Sequence, residues 1–220
     1  MKKCMLDKVL SLPKTIWYNF RLLPMKQAVK LPLAIHYMSR CHIVRGGIKI
    51  VSPTIPFMIR IGFHTVPVVP EQRTILEVNG TLVFEGTAHI GRGSRIFVRR
   101  GATVELGNNF AISASSFINC YKHIKTGRDI QLAWGDLLMD GDAHVIYGED
   151  GEIINESKEI ILGDKIWIGC DCKVLKGASI PNNSVVGANS VVTSGSKVEP
   201  NSLIVGSPAK SVKKIKGFKI

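Results

Sequence analysis

The chain has 220 residues, 45% of them hydrophobic, and a formal net charge of +12 from 29 Lys and Arg against 17 Asp and Glu. That length fits one domain with a modest appendage, and the apolar fraction is enough to fill a core. Five cysteines, an odd number without framework spacing, exclude a disulfide scaffold, and Cys170 and Cys172 stand too close together for a zinc pair. They read as free thiols in a reducing compartment. The positive charge favours an anionic partner without choosing among a phosphorylated cofactor, an acidic glycan, a membrane surface and nucleic acid.

From the N-terminus, Leu6, Val9, Leu10, Ile16, Trp17, Phe20 and Leu23 fall close to helical spacing. Pro13 is expected to break or kink that helix, and Pro24 to end it. Its polar side carries Lys2, Lys3, Lys8, Lys14 and Arg21. Two readings stay open: a helical arm packed on its own domain or on a neighbouring subunit, or an amphipathic foot on an anionic membrane. Charges at Asp7, Lys8, Lys14 and Arg21 interrupt any secretory apolar run, and the run from Leu31 to Ser39 is too short to span a bilayer. The expected location is cytoplasmic, with a peripheral position at the inner face of the membrane as the alternative.

From Lys30 to about Val69 short alternations, Ile48–Ile50 and Ile59–Ile61, sit among Gly46, Gly47, Pro53, Pro56 and Gly62. These read as distorted first coils that finish the open end of a solenoid. Beyond them a sixfold beat appears at Phe84, Ile90 and Ile96, slips, returns at Leu106, Ile112 and Ile118, slips near Tyr121, and returns at Thr126, Leu132 and Leu138. From Leu162 it runs unbroken through Ile168, Val174, Ile180, Val186, Val192, Val198 and Ile204. A usually small residue follows four places after each, among them Cys172, Ala178, Ser184, Ser190 and Ser202.

A period of six is neither helical nor simply stranded. It specifies an all-β, parallel β-helix in which three hexads close one triangular coil. The large residue points inward, and the small one is expected to let the chain turn. The organisation is therefore a helical arm over 1–27, a β-helix over 28–209 and a basic tail over 210–220. Within the β-helix, 28–77 form irregular capping coils and 145–159 a loop. The tip of the tail is expected to fray.

A prism filled with aliphatic residues has no inner cavity, so chemistry must sit on its outside or between molecules. Of the six histidines, His144 stands out, in the stretch MDGDAH beside the acidic loop GEDGEIINES. Asp140, Asp142, Glu149 and Asp150 are expected to surround it, orienting the imidazole and raising its basicity. The other five, His36, His42, His64, His89 and His123, lack such a setting and read as surface or corner residues.

MDGDAH, IILGDKIWIG, PNNSVVGANSVVTS and GSPAK resemble the hexapeptide-repeat acyltransferases with a left-handed β-helix, nearest to the O-acetyltransferases of capsule, lipopolysaccharide and other surface glycans. Xenobiotic and galactoside or maltose acetyltransferases resemble it over the same span, about Val78 to Lys214. The resemblance implies a homotrimer with acetyl-CoA in the groove between prisms. It makes His144 the general base, and Trp167 and Tyr147 acceptor-side residues. Cys170, Ala188 and Thr193 then become cofactor contacts, and Lys210 a neighbour of the nucleotide phosphates. Relatives often carry Asn before the histidine. Ala143 stands there in this chain, which leaves Asp142 as the expected orienting partner. The usual Thr-Lys-Asp ending is replaced by Thr193-Ser194-Gly195-Ser196-Lys197, so Lys197 competes for the phosphate role.

The implied reaction is direct transfer of acetyl to a sugar hydroxyl, with no covalent acyl-enzyme and no metal. The alternatives are a xenobiotic acetyltransferase, a γ-type carbonic anhydrase and a non-catalytic scaffold. The carbonic anhydrase would need a histidine pair five residues apart, and the chain has none. Helix-turn-helix, zinc-finger and RNA-binding signatures are lacking, so nucleic acid is not expected.

Overall fold

A computed structural model describes residues 2–70 and 72–219, with the side chains of residues 2–4 left aside. Lys2, Lys3 and Cys4, each given a role or state above, therefore lie outside the described side chains. The fold is a left-handed parallel β-helix with a helix at its N-terminal end. Three sheets of nine, seven and six strands, parallel except for the last pair of the nine-stranded one, form the faces of a prism, and up to Val191–Val192 every third strand in the chain joins the same face.

The sixfold beat is the core. Phe84, Ile90, Ile96, Leu106, Ile112, Ile118, Leu132, Leu138, Leu162, Ile168, Val174, Ile180, Val186, Val192 and Ile204 are all at most 1% exposed. Three hexads make one coil, so residues eighteen apart pair directly. Ile168 pairs with Val186 and Val186 with Ile204 on the nine-stranded face, while Val174 pairs with Val192 on the seven-stranded one. The earlier slips lengthen single coils: Ala88 pairs with Phe110, and Phe110 with Ile130.

The small residues lie inside the prism instead of making its turns. Cys172, Ala178, Ser184, Ser190 and Ser202 are buried, and each follows a residue with positive φ: Asp171, Gly177, Asn183, Asn189 and Asn201. Asn, Asp and Gly tolerate this left-handed conformation best, so the corner belongs to them and the small side chain fills the narrow space behind it. Glycine at the second place of the hexad answers a different need. A Cβ on Gly163 would sit 2.1 Å from Asn182 Oδ1, the atom that accepts a hydrogen bond from Asp164 N–H.

The inward column Ser116, Asp136, Cys172 and Ser190 carries one acid. Asp136 is 1% exposed; its Oδ1 accepts the Cys172 N–H at 2.9 Å, and its Oδ2 has no hydrogen-bond partner among the described residues. Burial pushes its carboxyl up from 3.8 to about 8. The folded state therefore holds a proton that the unfolded chain gives up near pH 4. That stabilising contribution is complete below about pH 4 and is lost as pH rises through about 8. In Asp136→Ser, unfolding monitored from pH 5 to 8 should lose this decline, which amounts to about 1.4 kcal/mol per pH unit. Equal pH slopes in both proteins would show that the acid is not protonated in the fold.

Helix α1 (Lys2–Leu22) runs through Pro13 without the break that was one of the two expectations there, and ends before Pro24. Pro13 sits on the exposed side, where a lost backbone hydrogen bond leaves its acceptor open to water. The side of the helix that meets the prism carries a polar stripe beside the buried Tyr18 and Leu22. Ser11, Thr15 and Asn19, four residues apart, are at most 2% exposed and meet alternate residues of the edge strand Leu33–Ile35 and its extension. Asn19 accepts the Leu33 N–H at 3.1 Å and donates to the Leu33 carbonyl at 2.8 Å. Thr15 Oγ1 accepts the Ile35 N–H at 3.1 Å, and Ser11 Oγ the Tyr37 N–H at 3.0 Å. One helical turn advances about as far as two strand residues, so a polar stripe can satisfy an open sheet edge.

At the other end, the strand Ala209–Lys214 folds back antiparallel on Ser202–Gly206. The tail continues in contact with the prism. Lys216 O accepts a hydrogen bond from Asn183 Nδ2, and the Phe218 ring lies 6.3 Å from that of Trp167. The tip at Ile220, expected to fray, lies outside the described residues.

Candidate active site

His144 lies in the excursion between the strands Leu137–Met139 and Ile160–Leu162, where the chain leaves the seven-stranded face before joining the six-stranded one. The base of this loop is pinned by Asp140, which is fully buried. Its carboxylate accepts backbone N–H groups from Tyr121 at 2.6 Å, Lys122 at 2.9 Å and His123 at 2.6 Å. Asp140 thus ties the loop to the preceding coil and is not a neighbour of the imidazole. Farther out the loop is a β-hairpin. Tyr147 bridges Ile153, Gly148 N–H donates to the Glu152 carbonyl, and Asp150 Oδ1 accepts the Glu152 N–H.

Asp142 does not meet the His144 ring. Its Oδ2 accepts from Lys176 Nζ and from Asn155 Nδ2 at 2.9 Å, and these two partners, Lys176 first, hold its carboxyl below the usual range. Asn155 also donates to the His144 carbonyl at 2.9 Å and accepts the Ile146 N–H at 2.7 Å. The expected Asp142–imidazole contact is replaced by an Asp142–Asn155 clamp on the loop backbone. Among the described residues no hydrogen bond engages the His144 ring, which is exposed.

A cleft of about 470 Å³ opens beside the ring, lined by Arg99, Lys122, Asp142, His144, Asn155 and Ser157 among others. Arg99 and Lys122 come from the two earlier slips in the repeat, where side chains leave the prism. An open imidazole, two cations and a fixed loop can hold an anionic or hydroxylated ligand and take a proton from it.

The other singled-out residues lie elsewhere on the single chain. Cys170 and Ala188 share the turn between the nine- and seven-stranded faces, one coil apart, and the Cys170 carbonyl accepts the Asn189 N–H at 2.9 Å. Thr193 follows the last strand of the seven-stranded face, and Lys210 lies on the terminal antiparallel strand. Trp167 stands outward on the nine-stranded face, 43% exposed, and Tyr147 outward on the hairpin. Tyr147 shares the loop of His144, whereas the other five stand on the turns and strands just named.

His36 departs from the surface reading, and His123, still at the surface, has the carboxylate setting it was expected to lack. His36 is 1% exposed, with Asp7 Oδ2 at 3.4 Å and Arg92 Nη2 at 2.9 Å from its Nε2; burial, then Arg92, lowers its affinity for a proton. His123 is bracketed by Glu105 and Glu159, each at 3.1 Å. The described cysteines are free, and burial raises the thiols of Cys41 to about 12 and Cys172 to about 11, which leaves them unreactive.

No family model matches the chain. It is similar to a Schizosaccharomyces pombe protein named only provisionally as an acetyltransferase, 30% identical over 63% of this chain and 59% of that protein. It is 47% identical to the polysialic acid O-acetyltransferase of Neisseria meningitidis over 24% of this chain and 26% of the enzyme, and 25% identical to the galactoside O-acetyltransferase of Escherichia coli over 64% and 70%. The chain thus spans less than two thirds of the length of the first two of these relatives. A solved polysialic-acid-specific acetyltransferase aligns at 18% identity over 86% of this chain and 89% of its own, with a TM-score of 0.47. In its sixfold repeat, its three faces and these sequence relatives, the chain is similar to the hexapeptide-repeat, left-handed β-helix acyltransferases.

Proposed function

We propose that the protein transfers the acetyl group of acetyl-CoA to a hydroxyl of a surface polysaccharide or its precursor. The observation that carries this reading is the cleft beside His144, where an imidazole without a hydrogen-bond partner among the described residues faces solvent next to Arg99 and Lys122. His144 removes the hydroxyl proton while the oxygen attacks the thioester carbonyl. The carbon–sulfur bond then breaks and CoA leaves as the thiol. Backbone N–H groups of an adjacent coil hold the developing oxyanion, and the groove supplies proximity. The two cations favour an acidic glycan, in keeping with the polysialic acid in the name of the meningococcal relative.

In this reading Cys170, Ala188, Thr193 and Lys210 line the cofactor path, and Trp167 and Tyr147 border the acceptor. Asp142 acts on His144 through Asn155 and the loop backbone. Because one chain spreads these residues over different faces, the reading includes a homotrimer that brings them together across its grooves. It also includes a peripheral position at the inner face of a membrane; no described helix is long and apolar enough to cross one.

Calorimetric titration with CoA, paired with sedimentation equilibrium, tests this reading. The expected result is a trimer that binds one CoA per chain. A monomer with no measurable CoA binding would contradict it.

A further inference from the structure

Helix α1 presents a polar stripe, with Tyr18 and Leu22 beside it, to the prism and a second, apolar stripe to solvent. Leu6, Val9, Leu10, Ile16, Trp17 and Phe20 are between 45% and 57% exposed and fall on one side of the helix. Only one acid lies in α1, Asp7, and it is turned inward to His36 and Arg92. Lys8 and Arg21 stand at opposite borders of the apolar face, and the Arg21 guanidinium lies over the Trp17 ring, 4.8 Å from its centroid. Cations flanking an apolar face that carries Trp and Phe are the arrangement of a helix lying in a headgroup layer.

Behind this helix is a second cleft, about 780 Å³, between α1 and the nine-stranded face. Val9 and Leu12 belong both to its wall and to the exposed apolar side, so the two surfaces are continuous. Its charged lining is Lys8, Arg60 and Arg92 against the single acid Asp7, with His64 and His89 beside them. Burial, then Arg60, holds His89 below the ordinary imidazole value, so it serves as a neutral hydrogen-bonding group.

We propose that the α1 end of the prism docks on an anionic lipid bilayer, with the apolar face of α1 in the headgroup layer and the adjoining cationic cleft seating a lipid phosphate. This deepens the peripheral placement proposed above, and its test reads lipid binding instead of acetyl transfer, so either can fail alone. Charge complementarity selects this occupant. A second copy would bring Lys8 and Arg21 against their own kind, and the chain as a whole carries +12. Four coil steps of about 4.8 Å then set the His144 loop roughly 20 Å above the first coil, a height suited to an acceptor tethered to lipid.

Co-sedimentation of the full chain with vesicles tests the proposal. Equimolar phosphatidylcholine and phosphatidylglycerol should pellet the protein, phosphatidylcholine alone much less, and added salt should release it. Trp17→Glu/Phe20→Glu, at exposed positions, should bind at least about tenfold more weakly with an unchanged circular dichroism spectrum. Arg60→Gln should lose about fivefold on anionic vesicles and nothing on neutral ones. Equal supernatant protein with and without vesicles would overturn the proposal. So would wild-type binding by both variants. An assembly that ignores vesicles and dissociates in the Trp17→Glu/Phe20→Glu variant would assign the face to a second copy instead.

Discussion

His144→Ala should lower the proposed acetyl transfer by about 10²–10⁴-fold while leaving the oligomeric state, CoA binding and thermal unfolding unchanged. The expectation rests on where the ring sits. His144 is exposed at the edge of a cleft, and its ring makes no hydrogen bond among the described residues, so its loss removes no support from the fold. Asn155 holds the loop through the His144 carbonyl, a contact that the substitution keeps. The loss should therefore fall on kcat with KM for acetyl-CoA little changed, because a base acts on the transition state more than on cofactor binding. A variant with full turnover would remove His144 from the chemistry.

Asp140→Ala should be the most damaging change near the loop for stability. It leaves three part-buried backbone N–H groups, those of Tyr121, Lys122 and His123, without their acceptor. Each unsatisfied donor costs about 1–3 kcal/mol, so the total is on the order of 3 kcal/mol or more. For a chain of this length that lowers the melting temperature by roughly 10 °C. The same change frees the base of the His144 loop, so activity should fall even below the unfolding range. A melting temperature within a degree or so of wild type would show that water replaces the carboxylate.

Much of this architecture was open to reading from the residues. The sixfold aliphatic column is a strong signal because each member is forced inward by the same geometry, and residues eighteen apart stack one coil above another. The turns were misassigned to the small residues, although Asp171, Gly177, Asn183, Asn189, Gly195 and Asn201 repeat every six places one position earlier. Their tolerance of positive φ was the available clue. The hairpin also carried a sign, Asp150-Gly151 between Val145–Tyr147 and Ile153–Ile154.

The two readings of helix α1 stayed open for a physical reason. An apolar stripe normally packs inward, and nothing in the sequence shows that Ser11, Thr15 and Asn19 have an open strand edge to satisfy. At the candidate site, the loop and its histidine were legible and its partners were not. Asn155, Lys176, Arg99 and Lys122 reach it from an irregular loop and from other coils. The slips that give those coils unequal lengths defeat any count along the chain.

The most direct measurement of the central claim is transfer of radiolabelled acetyl from acetyl-CoA to a panel of acidic and neutral surface-glycan oligosaccharides by the purified full chain. The account predicts label on a hydroxyl of an acidic oligosaccharide, with one free CoA thiol released for each acetyl transferred. No labelled product from any member of the panel, or label retained on the protein in place of the glycan, would contradict it.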